Sequence, residues 1–280
     1  MQVTWSIFPK FQNHLDPRGL AAFVRDVGLD TTNLVVRDGY WVTPKNLAAD
    51  TMRFVAAMKA EGIEIAYATT SYTPQQLIDE PTPIQVFHDN GIRAFRIGHV
   101  EASKTGDVRR DLKRARGQFE QLAALCAKHG VRAIYQLHHA TLMPSPSSVF
   151  PIVDGLPSDA VGIELDPGNQ SHEGHEDYGR TVRLLGDYVA WAACKDSVIR
   201  QDPSGIDRPD KGWRRTWAPA YEGVVRWDQF FAALASIDFH GVIKLMPFYD
   251  EKDPQKQREK LKKEVAYLKK LFSEANHKSS

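Results

Sequence analysis

The feature that most constrains this chain is a recurring apolar run introduced by a glycine. The runs are GLDTTNL (28–34), GIEIAY (62–67), GIRAFRI (91–97), GVRAIY (130–135) and GVIKLM (241–246). Each follows an amphipathic stretch, as expected where a helix stops at a left-handed residue and the chain turns into a strand. Three further runs fit the same rhythm: residues 3–8, Val161–Leu165 with its alternating Val161, Ile163 and Leu165, and residues 188–194. Eight strands alternate in this way with helical segments.

The helix starts are also marked. Asp16-Pro17 precedes Leu20, Phe23, Val24 and Val27; Thr43-Pro44 precedes Leu47, Met52, Phe54 and Val55; Thr82-Pro83 precedes Ile84, Val86 and Phe87. Residues 107–129, an amphipathic stretch that ends at Leu185, 227–237 and the lysine-rich 255–272 supply further helices, with a frayed, disordered tail over 276–280. Eight βα units in 280 residues predict a single (β/α)8 TIM barrel over 1–275, with a doubly wound open sheet as the alternative. No linker divides the chain. The segments 143–148 (MPSPSS) and 202–215 read as loops after strands, which in a barrel lie on the catalytic face.

Lys+Arg number 36 and Asp+Glu 35, so no global field argues for nucleic acid or a membrane surface. Cys126 and Cys194 have neither metal-ligand nor disulfide-framework spacing, and no signal segment or long apolar run is present. A cytoplasmic protein is the expectation.

The densest set of reactive side chains lies in residues 160–196. Strand parity, with aliphatic residues facing the outer helices, turns Arg132, Ile134, Gln136 and His138 inward. By the same rule Glu164, Asp166, Trp191, Ala193, Lys195, Lys244, Met246, Arg37 and Arg96 also point in. Ionised groups sharing a small interior must be paired or placed at its open end. Glu164 and Lys244 fall at similar depth and are expected to pair. A mouth rich in cations over one or two carboxylates suits an anionic or enediolate-forming substrate. Trp41, Trp213 and Trp217 could stack on a sugar face, whereas Trp191, deep on its strand, reads as packing. His172 and His175 with Glu173 and Glu176 match no strong metal spacing and read as a solvated helix N-terminus.

On DGYWVTP (38–44), GVRAIYQLHH (130–139), VGIELDPGN (161–169), LGDY and KD (185–188, 195–196), EGVVRWDQFF (222–231) and GVIKLMPFYD (241–250), the chain resembles the xylose-isomerase-like barrels. These make up the sugar phosphate isomerase/epimerase superfamily, which also includes endonuclease IV-type enzymes. The resemblance implies proton transfer beside a sugar carbonyl: isomerisation, epimerisation or β-elimination from a keto-sugar. It also implies a divalent ion held by a glutamate, an aspartate, a histidine and a glutamate. Those positions here are Gln136, Asp166, Ala193 and Met246, so only Asp166 survives. An amide and a thioether in place of two carboxylates should abolish tight binding of a hard ion. No cofactor is expected, although Asp166, Gln136 and His138 with waters leave room for a weak divalent ion (Mn or Mg).

The expected catalytic set is therefore Asp166, His138, Lys195 and Gln136, with Lys195 or Lys244 as the electrophile and Asp166 or His138 moving the proton. Arg37, Trp41, Arg96, Glu164, Asn169, His172 and Lys244 form the expected substrate-binding set. The partner is a small-molecule sugar or keto-sugar, with no nucleic acid and no membrane, and the fold is compatible with a homo-oligomer. The alternative is a catalytically silent barrel that binds a sugar or a partner chain. A DNA-repair nuclease is a distant third, since it would need several metal ions and a basic groove.

Overall fold

The computed structural model describes residues 1–104, 106–249 and 251–279. Its centre is a closed parallel barrel of eight strands in the order β1-β10-β7-β6-β5-β4-β3-β2. The strands are β1 (Gln2–Ile7), β2 (Thr31–Val35), β3 (Glu64–Thr69), β4 (Ala94–Arg96), β5 (Arg132–Gln136), β6 (Val161–Leu165), β7 (Val189–Cys194) and β10 (His240–Leu245). Between β7 and β10 an antiparallel hairpin, β8 (Asp196–Gln201) and β9 (Trp213–Ala218), stands outside the barrel. The sequence places only a loop there. The chain is a single (β/α)8 TIM barrel, not an open sheet.

Four of the five repeat glycines, Gly28, Gly62, Gly91 and Gly130, hold φ between 60° and 79°, the left-handed turn from helix into strand. In the fifth repeat the left-handed residue is Asp238, with φ 47°, three positions before Gly241. Gly241 serves close approach instead, since a Cβ there would lie 2.2 Å from the Ala190 carbonyl oxygen of β7.

Asp16 caps the helix Pro17–Asp26 by accepting from the Gly19 amide at 2.7 Å. Thr43 caps a 3-10 turn, Pro44–Asn46, that leads into the helix Leu47–Ala60. Thr82 departs from its expected role: the helix Thr82–Asp89 begins at Thr82 itself, and the Glu80 carboxylate accepts from its amide at 3.2 Å. Two starts not singled out in the sequence carry full capping boxes, Thr73 with Gln76 and Ser145 with Ser148. The last helix, Pro254–Ser279, continues through the segment expected to fray; Ser280 lies outside the described residues. No helix among the described residues is long and apolar enough to cross a membrane.

Parity sorts the core into layers. The outward strand residues pack with the helices in one large cluster that includes Ile7, Leu34, Ala133, Tyr135, Leu137, Ile163, Leu165, Ile243 and Leu245. Inside the barrel, Tyr67, Ile134, Ala190 and Trp191 fill one layer, with the Tyr67 and Trp191 rings 4.1 Å apart. Trp191 is therefore packing, as its depth suggested. Towards the carboxyl ends Phe8, Val35, Ala193 and Met246 form another layer, with the charged chemistry around and above it.

Candidate active site

Strand ends build the site. β6 ends at Leu165, and Asp166 then caps the short helix Pro167–Gln170, its Oδ1 accepting from the Asn169 amide at 2.8 Å. This leaves Oδ2 pointing at three donors: Gln136 Nε2 at 2.6 Å, Asn169 Nδ2 at 2.6 Å and the Lys195 ammonium at 3.3 Å. Asp166 is solvent-free and acts as the hub of the site. Lys195 also donates to Asn169 Oδ1 at 2.7 Å and stands over the rings of Trp217 and Phe248, 4.4 and 5.3 Å from their centroids. Burial lowers the lysine's pKa while Asp166 pulls it up. Gly168 permits this approach, since a Cβ there would sit 2.2 Å from the Lys195 carbonyl oxygen.

Arg96 at the end of β4 is held on every side. Its Nε donates to Gln136 Oε1 at 2.8 Å, Nη1 to the Thr70 carbonyl at 3.1 Å, and Nη2 to His99 Nε2 at 2.7 Å. Because guanidinium only donates, Gln136 must present oxygen to Arg96 and its amide NH2 to Asp166. The Met246 sulfur lies 3.8 Å from that amide nitrogen. Three of the four positions that resemble a metal site thus converge, but with an amide donor, a thioether and an ammonium facing one carboxylate. Both Asp166 oxygens are already engaged, and Lys195 supplies a positive charge beside them. This donor set does not fit a divalent cation. Among the described residues no group of three or more His, Cys, Asp or Glu is placed to hold a metal.

Below the mouth, Glu164 and Lys244 form a tight ion pair with side chains 0% and 1% exposed, as their shared depth implies. Burial raises the carboxyl's pKa and lowers the lysine's, and their mutual attraction opposes both shifts.

A cavity of about 340 Å3 opens above these groups, the size of a site for one small molecule. Arg37, Arg96, Gln136, His138, Lys195 and Lys244 line it, as expected. Asp166, Asn169 and Glu164 lie solvent-free behind its wall. One expectation fails. Trp41 packs elsewhere: its Nε1 donates to the Leu15 carbonyl at 2.8 Å and its ring stacks on Phe54 at 5.2 Å, so it is not a substrate platform. Lys195 and its neighbour Asp196 face different surroundings. Asp196 turns away and accepts from the amides of Ser197, Val224 and Val225 and from Trp227 Nε1, holding the strand to the following loop. Among the loop acids, Glu173 accepts from the Ala140 amide and Glu176 from Ser147, so both tie loops together rather than wait for a metal.

Lys10, His99 and His139 also line the cavity, and sequence reasoning missed them. They stand in the loops after β1, β4 and β5, one to three residues past the last position that parity can assign; the tandem HH at 138–139 was the available signal. Four histidines form a row, His99–His138–His139–His172, with neighbouring ring centroids 4.1–4.4 Å apart, and Trp217 closes it 5.0 Å from His172. His172 thus joins the site as the outer ring of this row. Burial and nearby cations hold three of these imidazoles neutral: His99 is pushed down to about 2, His172 to about 4, and His138 below its usual value. His138 Nδ1 lies 2.8 Å from the His139 carbonyl. A carbonyl only accepts, so Nδ1 carries the proton and Nε2 keeps a free lone pair.

A parallel eight-stranded barrel with its polar cluster on the carboxyl-terminal rim defines a class of enzyme-type scaffold. The family model of the xylose isomerase-like TIM barrel matches residues 21–271, and the chain belongs to that family. Similar solved structures include an L-ribulose 3-epimerase, with 14% identity over 99% of this chain and 97% of that one and a TM-score of 0.69. A D-allulose 3-epimerase from Methylomonas sp. in complex with D-allulose has 13% identity over 96% and 97%, with a TM-score of 0.65. A xylose isomerase-like barrel protein from Mycobacterium smegmatis in complex with magnesium has 14% identity over 98% and 97%, with a TM-score of 0.66. At this identity the likeness concerns the fold. No curated protein matches by sequence.

Proposed function

We propose that this protein catalyses proton transfer beside the carbonyl of a small sugar, as an isomerase or a keto-sugar lyase, with the Lys195 ammonium in the electrophile's role and His138 as the base. The observation that carries this reading is the placement of Lys195: its ammonium is fixed by Asp166 and Asn169 at the floor of the site, beside the remnants of the family's ligand set. Epimerase neighbours that include a complex with D-allulose support a sugar as the ligand.

In an isomerisation, His138 Nε2 takes the proton from the carbon next to the carbonyl, and the bonding pair moves into the C=O to give an enediolate. Lys195 and Arg96 stabilise the developing oxyanion, which is where preorganised cations contribute most. The imidazolium then returns the proton to the former carbonyl carbon, while the neighbouring hydroxyl gives its proton to the oxyanion. In the lyase variant the same carbanion expels a β-hydroxyl as water, protonated by the imidazolium. The three histidines lining the cavity come from the β4 and β5 loops. A base on one face favours isomerisation or elimination over epimerisation, which calls for proton delivery to the opposite face.

The test is a panel of keto-sugars, sugar phosphates and sugar acids assayed in chelator, with His138→Asn and Lys195→Met as variants. Each substitution is expected to lower kcat by about 10²–10⁴-fold, the usual worth of a general base or a positioned electrophile; His138→Asn leaves melting unchanged, whereas Lys195→Met also lowers it, because buried Asp166 loses its counter-charge. Turnover that survives both substitutions sinks the assignment. A folded protein that turns over nothing is the silent barrel.

A further inference from the structure

Five cationic side chains line the mouth cavity, and among the described residues only two carboxylates, Asp166 and Glu164, lie behind its wall. Three of the cations are satisfied by partners: Lys195 by Asp166 and Asn169, Lys244 by Glu164, and Arg96 by Gln136, Thr70 and His99. The other two are Lys10, in the loop after β1, and Arg37, just past β2. Among the described residues neither head group has a carboxylate within 4 Å or a hydrogen bond. Both rest on aromatic faces instead. Lys10 Nζ lies 4.4 Å from the Phe248 centroid and 5.5 Å from that of Phe11, and the Arg37 guanidinium 5.7 Å from that of Tyr40.

The two loops are tied together. The Tyr40 hydroxyl donates to the Lys10 carbonyl at 2.7 Å, and Asn13 Nδ2 donates to the Gly39 carbonyl at 3.2 Å. The described residues therefore place two like charges on one wall of one cavity without a counter-charge beside them. The half-burial of Lys10, then repulsion by Arg37 and by Lys195, lowers the lysine's pKa. Elsewhere the chain balances its charges almost one to one, so this excess is local. Like charges fixed in a pocket and left unpaired are the arrangement that an incoming anion completes.

We propose that Lys10 and Arg37 form an oxyanion subsite that binds a phosphoester or carboxylate group at the end of the substrate away from its carbonyl. This rests on the proposed sugar chemistry for what fills the rest of the cavity. Lys10 and Lys195 stand over the same ring, Phe248, at 4.4 and 5.3 Å. One sugar-sized molecule can therefore reach from the ammonium that polarises the carbonyl to the pair that grips the anion. Phosphate and carboxylate share this chemistry; Arg37 offers a fork to either, and Lys10 a point charge.

The test is calorimetric titration at low salt with inorganic phosphate and, separately, with glycolate, on the whole protein and on Lys10→Met, Arg37→Met and Lys59→Met. Each of the first two substitutions is expected to weaken binding about tenfold, the worth of one charge-assisted contact, while Lys59→Met, exposed at the end of the helix Leu47–Ala60 and outside the cavity, leaves it unchanged. Tighter binding of phosphate than of glycolate assigns a phosphoester, and the reverse assigns a sugar acid. Binding of both anions that is insensitive to Lys10→Met and Arg37→Met overturns the subsite, as does absence of binding by a protein whose melting curve is intact. Either result leaves the His138 and Lys195 chemistry to stand or fall on its own assay.

Discussion

Lys244→Met isolates the inner ion pair of the barrel. Glu164 and Lys244 are solvent-free, and the lysine ammonium is walled by Phe8, Tyr67 and Trp191 at 5.7–5.8 Å from their ring centroids. Without the lysine, Glu164 has two courses. Remaining ionised, it costs roughly 3–5 kcal/mol as an uncompensated buried charge. Taking up a proton costs about 1.4 kcal/mol for each pH unit above the ordinary carboxyl value, or roughly 4 kcal/mol near pH 7.5. The two routes agree. At about 2–4 °C per kcal/mol for a chain of this size, the melting temperature should drop by roughly 10 °C near pH 7.5.

The second route also fixes the sign of the pH dependence. The variant's carboxyl has a folded pKa raised above its unfolded value, so stability is lost as pH rises past the unfolded value and the penalty shrinks in acid. Near pH 5 protonation costs under about 1 kcal/mol, and the gap to wild type should close to a few degrees. Replacing both partners, Glu164→Leu with Lys244→Met, should recover most of the loss because no charge remains to be buried. Thermal melts of the two variants at both pH values decide it. A single variant that melts with wild type near neutrality, or a double variant as damaged as the single, refutes the reasoning.

Glu264 is buried with its pKa pushed up to about 8, chiefly by desolvation, and accepts from the Ala220 amide at 2.8 Å. The unfolded chain gives up this proton at lower pH, so wild type should lose stability relative to Glu264→Gln as pH rises towards 8, seen as a melting difference that grows in favour of glutamine. Gly168→Ala should displace the Lys195 backbone, whose oxygen a Cβ would meet at 2.2 Å. We expect about a hundredfold loss of kcat with the fold kept, whereas Gly117→Ala, with open space on the helix Val108–His129, should leave activity unchanged. Because burial lowers the His138 pKa, the acid limb of kcat/KM should fall below the ordinary histidine range, and a limb at or above it would remove His138 as the base.

The barrel was legible because its signals are local. Glycine-terminated helices and period-2 strands recur at each unit, and Val161–Leu165 is recovered to the residue. The β8–β9 hairpin was not legible: its strands are largely exposed, so no buried face imposes a period, and each finds its partner across an intervening loop. Parity placed Gln136, Lys195 and Lys244 at the site because inward and outward alternate strictly along a strand. It is silent beyond the strand ends, where Lys10, His99 and His139 stand. Trp41 reads as a rim aromatic until the distant Leu15 carbonyl takes its indole N–H. The Asp166 network shows why glutamine at 136 belongs with lysine at 195: the amide gives the carboxylate a donor and Arg96 an acceptor, and the ammonium supplies the remaining charge.

The central claim is that Lys195 does the electrophile's work without a metal. Its most direct test is solvent deuterium incorporation into sugar recovered from exhaustively chelated protein, wild type against Lys195→Met. The expected result is exchange at the carbon beside the carbonyl that is unaffected by chelation and lost with Lys195. Exchange that disappears on chelation, returns with a divalent ion and persists in Lys195→Met would contradict it.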